Sequence, residues 1–172
     1  MPIEPETKDW TWVLDETCHE CGFDTRTIAG TDVPALVREN AAVWPGVLAR
    51  PDARQRPDDS TWSPLEYACH VRDVYRLFAV RLNLMLTADD PLFPNWDQDE
   101  TAVAERYGEQ DPATVAVELV AAGEAVAADF DAVRGDQWQR TGRRSDGAVF
   151  TVESFARYFV HDSIHHVHDV TA

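Results

Sequence analysis

His161-Asp162-Ser163-Ile164-His165-His166-Val167-His168-Asp169 concentrates four of the chain's six histidines into little more than two helical turns. The segment closes a helical stretch that starts at Thr151 and runs nearly to the end. Plotted at about 100° per residue, Val152, Phe155, Ala156, Phe159, Val160, Ile164, Val167 and Val170 share one broad face. A helix with so wide an apolar face must be buried against others. His161, His165 and His168 fall on the opposite side. Asp162 and His166 fall at the edge of the apolar stripe, beside Phe155 and Phe159, where a side chain faces a neighbouring helix. Their i, i+4 spacing stacks two donors on one face. Asp162/His166 is therefore the preferred chelating pair, with His161/His165 the alternative.

Three more helical stretches precede it. One begins near Thr31-Asp32-Val33-Pro34 and runs to about Leu48. The next spans Ser63 to Met85, with Ser63 at the N-cap, Pro64 at the first helical position and Glu66 at the third, a capping box. Another opens at Asp111-Pro112 and continues to about Val133. The link from Asp89 to Gln110 holds Pro91, Pro94 and Trp96, and Trp96 and Asp97 are placed to close over the bundle mouth. Trp138 to Phe150 reads as a hairpin turning at Ser145-Asp146-Gly147. The first 30 residues read as an extra helical turn or a loop packed on the bundle. The expected fold is all-α, a single four-helix bundle over residues 1–172 with long connections and a short β-hairpin before the last helix.

In the second stretch Tyr67, Val71, Val74, Phe78 and Met85 define the apolar stripe, with His70 at its margin. Glu66, one turn earlier, is placed to orient the His70 imidazole. Asp73, one turn later, is a candidate supporting partner or general base. Imidazoles and a carboxylate projected from two helices are what a divalent metal site in a bundle requires. Three protein ligands leave a position open for water or substrate, as in catalytic sites.

With 31 acidic and 15 basic residues, the net charge is −16, which repels phosphate backbones and anionic membranes. Nucleic acid and membrane partners are accordingly excluded. No apolar run approaches the ~20 residues of a membrane span. Met1-Pro2-Ile3-Glu4-Pro5-Glu6-Thr7-Lys8-Asp9 has no basic region followed by an apolar segment, so no signal peptide and a cytoplasmic location are expected. Cys18 and Cys21 form a Cys-x-x-Cys, half of a zinc knuckle with no second pair following; a structural, zinc or redox role stays open. Arg140, Arg143 and Arg144 make a basic patch before the last helix.

Trp62-Ser63-Pro64-Leu65-Glu66-Tyr67-Ala68-Cys69-His70-Val71 resembles the second-helix motif of the DinB-like (DinB/YfiT) superfamily, and His165-His166-Val167-His168 resembles its terminal-helix metal motif. The resemblance runs from about Thr31 to the end. It implies a four-helix bundle binding zinc or nickel through one ligand from the second helix and two from the fourth. Carried onto this chain, those are His70, Asp162 and His166, with Glu66, Asp73 and His165 in supporting positions. Asp162 departs from the histidine or glutamate of many members, although the related mycothiol-dependent maleylpyruvate isomerases also combine two histidines with a carboxylate. Aligning the doublet one residue earlier gives His161 and His165 instead. The activity implied is metal-dependent activation of a low-molecular-weight thiol, mycothiol or bacillithiol, for transfer to an electrophile or for isomerisation. Arg143 and Arg144 would then meet carboxylates of thiol or substrate, and a homodimer through bundle faces is also implied. The alternatives are a non-catalytic metal-binding bundle with a structural, storage or stress role, and a metal-free helical interaction module.

Overall fold

The helices start where the sequence places their caps. The structure, a computed structural model, describes Ile3 and residues 9–172, so most of the opening segment, residues 1, 2 and 4–8, lies outside the described residues. In chain order the elements are α1 (Val33–Ala41), α2 (Trp44–Leu48), α3 (Pro64–Thr87), α4 (Gln98–Ala104), α5 (Pro112–Asp131), β1 (Thr141–Arg143), β2 (Val149–Thr151) and α6 (Val152–Thr171). Ser63 Oγ accepts from the Glu66 amide at 3.3 Å while the Glu66 carboxylate accepts from the Ser63 amide at 2.8 Å, closing the expected capping box of α3. Asp111 caps α5 through the Thr114 amide at 2.9 Å, and Thr151 caps α6 through the Ser154 amide at 3.0 Å.

Two departures from the sequence reading have local causes. The expected first helix is split into α1 and α2, because Pro45 offers no N–H to the Ala41 carbonyl and its ring would crowd that carbonyl. The long link contains α4, which buries no residue and so has no apolar stripe to announce it. Asp97 caps α4, accepting from the Asp99 and Glu100 amides at 2.9 Å each. It starts a helix, and Trp96 and Asp97 both line the cleft above the bundle mouth.

The segments α1–α2, α3, α5 and α6 make the bundle, around an aromatic core. Phe78 of α3 stacks on Phe155 and Phe159 of α6 with centroids 4.7 and 4.9 Å apart, and Phe130 of α5 stacks on Phe159 at 5.6 Å. A polar strut crosses this core. The Tyr75 hydroxyl donates to Asn40 Oδ1 at 2.9 Å, and Asn40 Nδ2 donates to the Ser163 carbonyl at 2.9 Å, tying α3 to α1 and α1 to α6. Gly123 lets α5 approach, since a Cβ there would lie 2.9 Å from the Ala41 Cβ.

The hairpin pairs β1 and β2 antiparallel with Gly142 opposite Phe150, and Gly147 takes φ +94° in its turn. Short 3₁₀ turns at Thr11–Leu14 and Thr25–Thr27 lie in the N-terminal segment, which packs along α6. Among the described residues no helix is long and apolar enough to cross a membrane. Phe159 is fully buried at the centre of the aromatic core. Phe159→Ala is expected to lower the unfolding free energy by about 3–5 kcal/mol, read from urea denaturation with the slope unchanged.

Candidate metal centre

One turn beyond Phe159, α6 presents Asp162 and His166 to α3, and α3 answers with His70 two turns before Phe78. Donor atoms of the three side chains all lie within 4.8 Å of one another. His70 Nε2 is 3.8 Å from Asp162 Oδ2, and His166 Nε2 is 3.6 Å from Asp162 Oδ1. Those separations are too long for hydrogen bonds. They suit atoms that share an ion: ligands about 2.0–2.1 Å from a tetrahedral zinc sit roughly 3.4 Å from each other. Asp162 Oδ2 and His70 Nδ1 are both buried without a hydrogen-bond partner among the described residues. Two imidazole nitrogens and one carboxylate oxygen also form a donor set that zinc or nickel accepts. The residues present fit a divalent ion.

His166 is oriented by Asp169, whose Oδ2 lies 2.9 Å from His166 Nδ1 and leaves Nε2 for the Asp162 side. Burial opposes charge on both members of the Asp162/His166 pair, but each stabilises the other. The Asp162 carboxyl is held well below the usual carboxylate range by His166 and His70. The His166 imidazole, against its desolvation, is raised to about 10 by Asp162 and Asp169. The aromatic surround is tight. Trp96 stacks on His70 at 5.7 Å, Trp62 lies 5.5 Å from the same ring, and Tyr67 lies 5.2 Å from His166.

The three donors open into a cleft of about 680 Å³ between the bundle, the hairpin and the long link. Two arginines line it. Arg144 is held by Asp146 at 2.7 Å and donates to the Tyr158 hydroxyl at 3.0 Å. Arg81 is only 8% exposed and lies over the rings of Phe78 and Phe93 at 5.8 and 5.2 Å. Its Nε has no hydrogen-bond partner, and no carboxylate pairs with it among the described residues. Burial, reinforced by Arg144, pulls its guanidinium down to about 10. The sequence reading missed Arg81, although an arginine three turns after His70, between Phe78 and Leu82 of a buried stripe, is a signal of its kind.

The other expected residues are distributed as follows. His161 and His165 do not join His70. They sit about 100° round α6 from Asp162 and His166, on the next face, where they are 3% and 6% exposed beside the N-terminal segment. Burial, with His165 alongside, lowers the His161 imidazole to about 4. His165 meets the candidate centre through Asp169, 3.6 Å from its Nε2, and through an edge contact with the His166 ring at 5.8 Å. Glu66 does not orient His70, because its carboxylate is engaged by the Ser63 amide and by Arg56 Nε at 2.9 Å. Asp73 accepts from the Tyr107 hydroxyl at 2.6 Å and from Arg72 Nε at 2.9 Å, away from the cleft. Arg143 also lies outside the cleft and pairs with Asp90 at 3.0 Å, whereas Arg144 reaches it.

In metal-free protein the Asp162/His166 pair gives stability a defined pH window. His166 is raised above its unfolded value of about 6.5, so its contribution is complete below that pH and disappears as pH climbs through about 10. Asp162 is depressed, so its contribution is present above about 3.9 and disappears on strong acidification. Chelator-treated wild type is expected to lose stability between pH 6.5 and 10 relative to His166→Gln. Urea midpoints measured across that range test this.

A family model described as the DinB superfamily matches residues 36–170. A solved structure, YfiT from Bacillus subtilis, is described as a probable metal-dependent hydrolase with an unusual four-helix bundle topology. It aligns over 97% of this chain and 89% of its own with 18% identity and a TM-score of 0.64, which establishes likeness of fold. No curated protein matches the chain.

Proposed function

The chain belongs to the DinB superfamily, and from that premise we propose that it is a divalent-metal-dependent enzyme acting on a low-molecular-weight thiol of the mycothiol or bacillithiol type. The observation that carries this reading is a three-donor cluster, His70, Asp162 and His166, opening into a cleft whose wall holds the buried, carboxylate-free Arg81. Zinc or nickel held there would keep a thiol as thiolate at neutral pH.

The residues around it have separable tasks. Asp169 fixes the His166 tautomer, and Trp62, Tyr67 and Trp96 exclude water from the imidazoles. Arg81 receives an anionic group of the thiol or its partner, with Arg144, already paired with Asp146, beside it. In transfer, the S–H proton passes to solvent and the sulfur pair forms the new S–C bond. The leaving group departs with the electrons of the broken bond. In isomerisation the same sulfur adds to a conjugated carbon and departs after rotation. A second reading, with water in place of the thiol, draws on the description of YfiT as a probable metal-dependent hydrolase.

Metal analysis of tag-free protein by inductively coupled plasma mass spectrometry, paired with a screen of thiols against electrophiles and of hydrolysable esters and amides, tests the proposal. His70→Ala and His166→Ala are each expected to lose about one equivalent of metal. Turnover should fall by more than the roughly 100-fold that loss of a mere supporting residue costs. Hydrolysis without added thiol would select the second reading. Bound metal with no turnover in any screen would leave a non-catalytic metal-binding bundle. Arg81→Met should raise KM for the anionic reactant about tenfold or more, with a smaller effect on kcat.

A further inference from the structure

The Cys18-x-x-Cys21 pair lacks a second half in the sequence, but the fold supplies one. His161 and His165, one helical turn apart on the face of α6 next to Asp162 and His166, face the two cysteines, and donor atoms of all four lie within 4.8 Å of one another. We propose that Cys18, Cys21, His161 and His165 form a second, closed zinc site, distinct from the open centre at His70, that fastens the N-terminal segment to α6.

The distances carry the chemistry. Cys18 Sγ is 3.6 Å from His165 Nδ1, and Cys21 Sγ is 3.7 Å from His161 Nε2. In a tetrahedral zinc site, with Zn–S about 2.3 Å and Zn–N about 2.0–2.1 Å, sulfur and nitrogen ligands stand roughly 3.6 Å apart. The local backbone is a tight knuckle. The Gly22 amide donates to the Cys18 carbonyl at 2.9 Å, the Cys18 amide donates to the Phe23 carbonyl at 2.9 Å, and Gly22 takes φ +75° to allow it. His165 points its far nitrogen, Nε2, at Glu20 at 3.3 Å and at Asp169 at 3.6 Å, the carboxylate support common behind zinc-bound imidazoles.

Two thiolates and two imidazoles in this arrangement select zinc over hard cations such as magnesium or calcium. Four protein donors leave no open position, so the site is structural and not catalytic. A redox Cys-x-x-Cys fits poorly. The pair sits in a turn instead of at a helix N-terminus, where thiols are activated.

The two sites are not isolated. Asp169 accepts from His166 on one side and faces His165 on the other, so one carboxylate supports an imidazole of each cluster. Filling the closed site would hold α6 in the rotation that aims Asp162 and His166 at His70.

The test uses full-length, tag-free protein loaded with cobalt(II) or zinc. Wild type should bind about two equivalents and show a near-ultraviolet thiolate-to-cobalt charge-transfer band. His70→Ala/His166→Ala should keep that band and lose one equivalent, whereas Cys21→Ser should lose the band and keep the other. If Cys21→Ser fails to fold, zinc X-ray absorption on the wild type still decides, since half of the closed site's ligands must be sulfur. A disulfide between Cys18 and Cys21 in freshly prepared protein, or a zinc-loaded wild type without sulfur ligands, would overturn the closed site while leaving the His70 centre untouched. Loss of metal only from the His70/His166 variant in a one-equivalent wild type would do the same.

Discussion

The register of α6 against α3 is set by Phe78, which stacks on both Phe155 and Phe159 with ring planes 24° and 23° apart. The candidate centre depends on that contact. From it His70 lies two turns toward the start of α3, while Asp162 and His166 lie one to two turns toward the end of α6, so the two helices run antiparallel past each other. Slipping one helix by a turn moves its side chains about 5.4 Å. That exceeds the 3.6 and 3.8 Å separations between the imidazoles and Asp162. An apolar interaction with no role in chemistry therefore decides whether three polar donors converge. The strut from Tyr75 through Asn40 to the Ser163 carbonyl secures the same register one residue from Asp162.

What could be read from the sequence was local. Ser63 with Glu66, Asp111 and Thr151 mark helix starts by satisfying backbone amides, and three long helices begin where those residues stand. The position of Asp162 and His166 at the edge of an apolar stripe is likewise a property of one helix, and it is on that edge that the structure brings them against His70. Pro45 was present in the sequence, yet the apolar residues on either side concealed the break it imposes. α4 escaped notice because it buries nothing.

What could not be read was long-range. Glu66 is drawn away from His70 by Arg56, ten residues upstream in a loop whose course no periodicity specifies. Arg81 became a cleft residue only because Phe93 and the hairpin fold over it. His161 and His165 lie opposite the apolar face, a side usually left to water. Here Cys18 and Trp10 cover them, with the Trp10 ring 5.9 and 5.0 Å from the two imidazoles. A helix wheel treats one helix at a time, so it cannot register a segment arriving from 140 residues earlier in the chain.

Charge then limits what the cleft can hold. Two neutral imidazoles and one carboxylate around a divalent ion leave a net charge of about +1. Arg81 adds a second positive charge that no carboxylate of the described residues offsets, while Arg144 is already paired with Asp146 and Asp9. A divalent ion and Arg81 would thus be the positive points of a cleft that Asp9, Glu20, Asp97, Asp99, Asp146 and Asp169 also line, in a chain of net charge −16. At physiological salt the acidic exterior is screened beyond about 8 Å, whereas charges at a part-buried floor interact at low dielectric. A polyanion would have to lie along the repelling exterior. A small reactant that fits within about 680 Å³ meets charges of both signs, so an anionic group is held only where it lies against Arg81 or a bound ion. That requirement makes Arg81 the charge that would orient an anionic group in the proposed reaction.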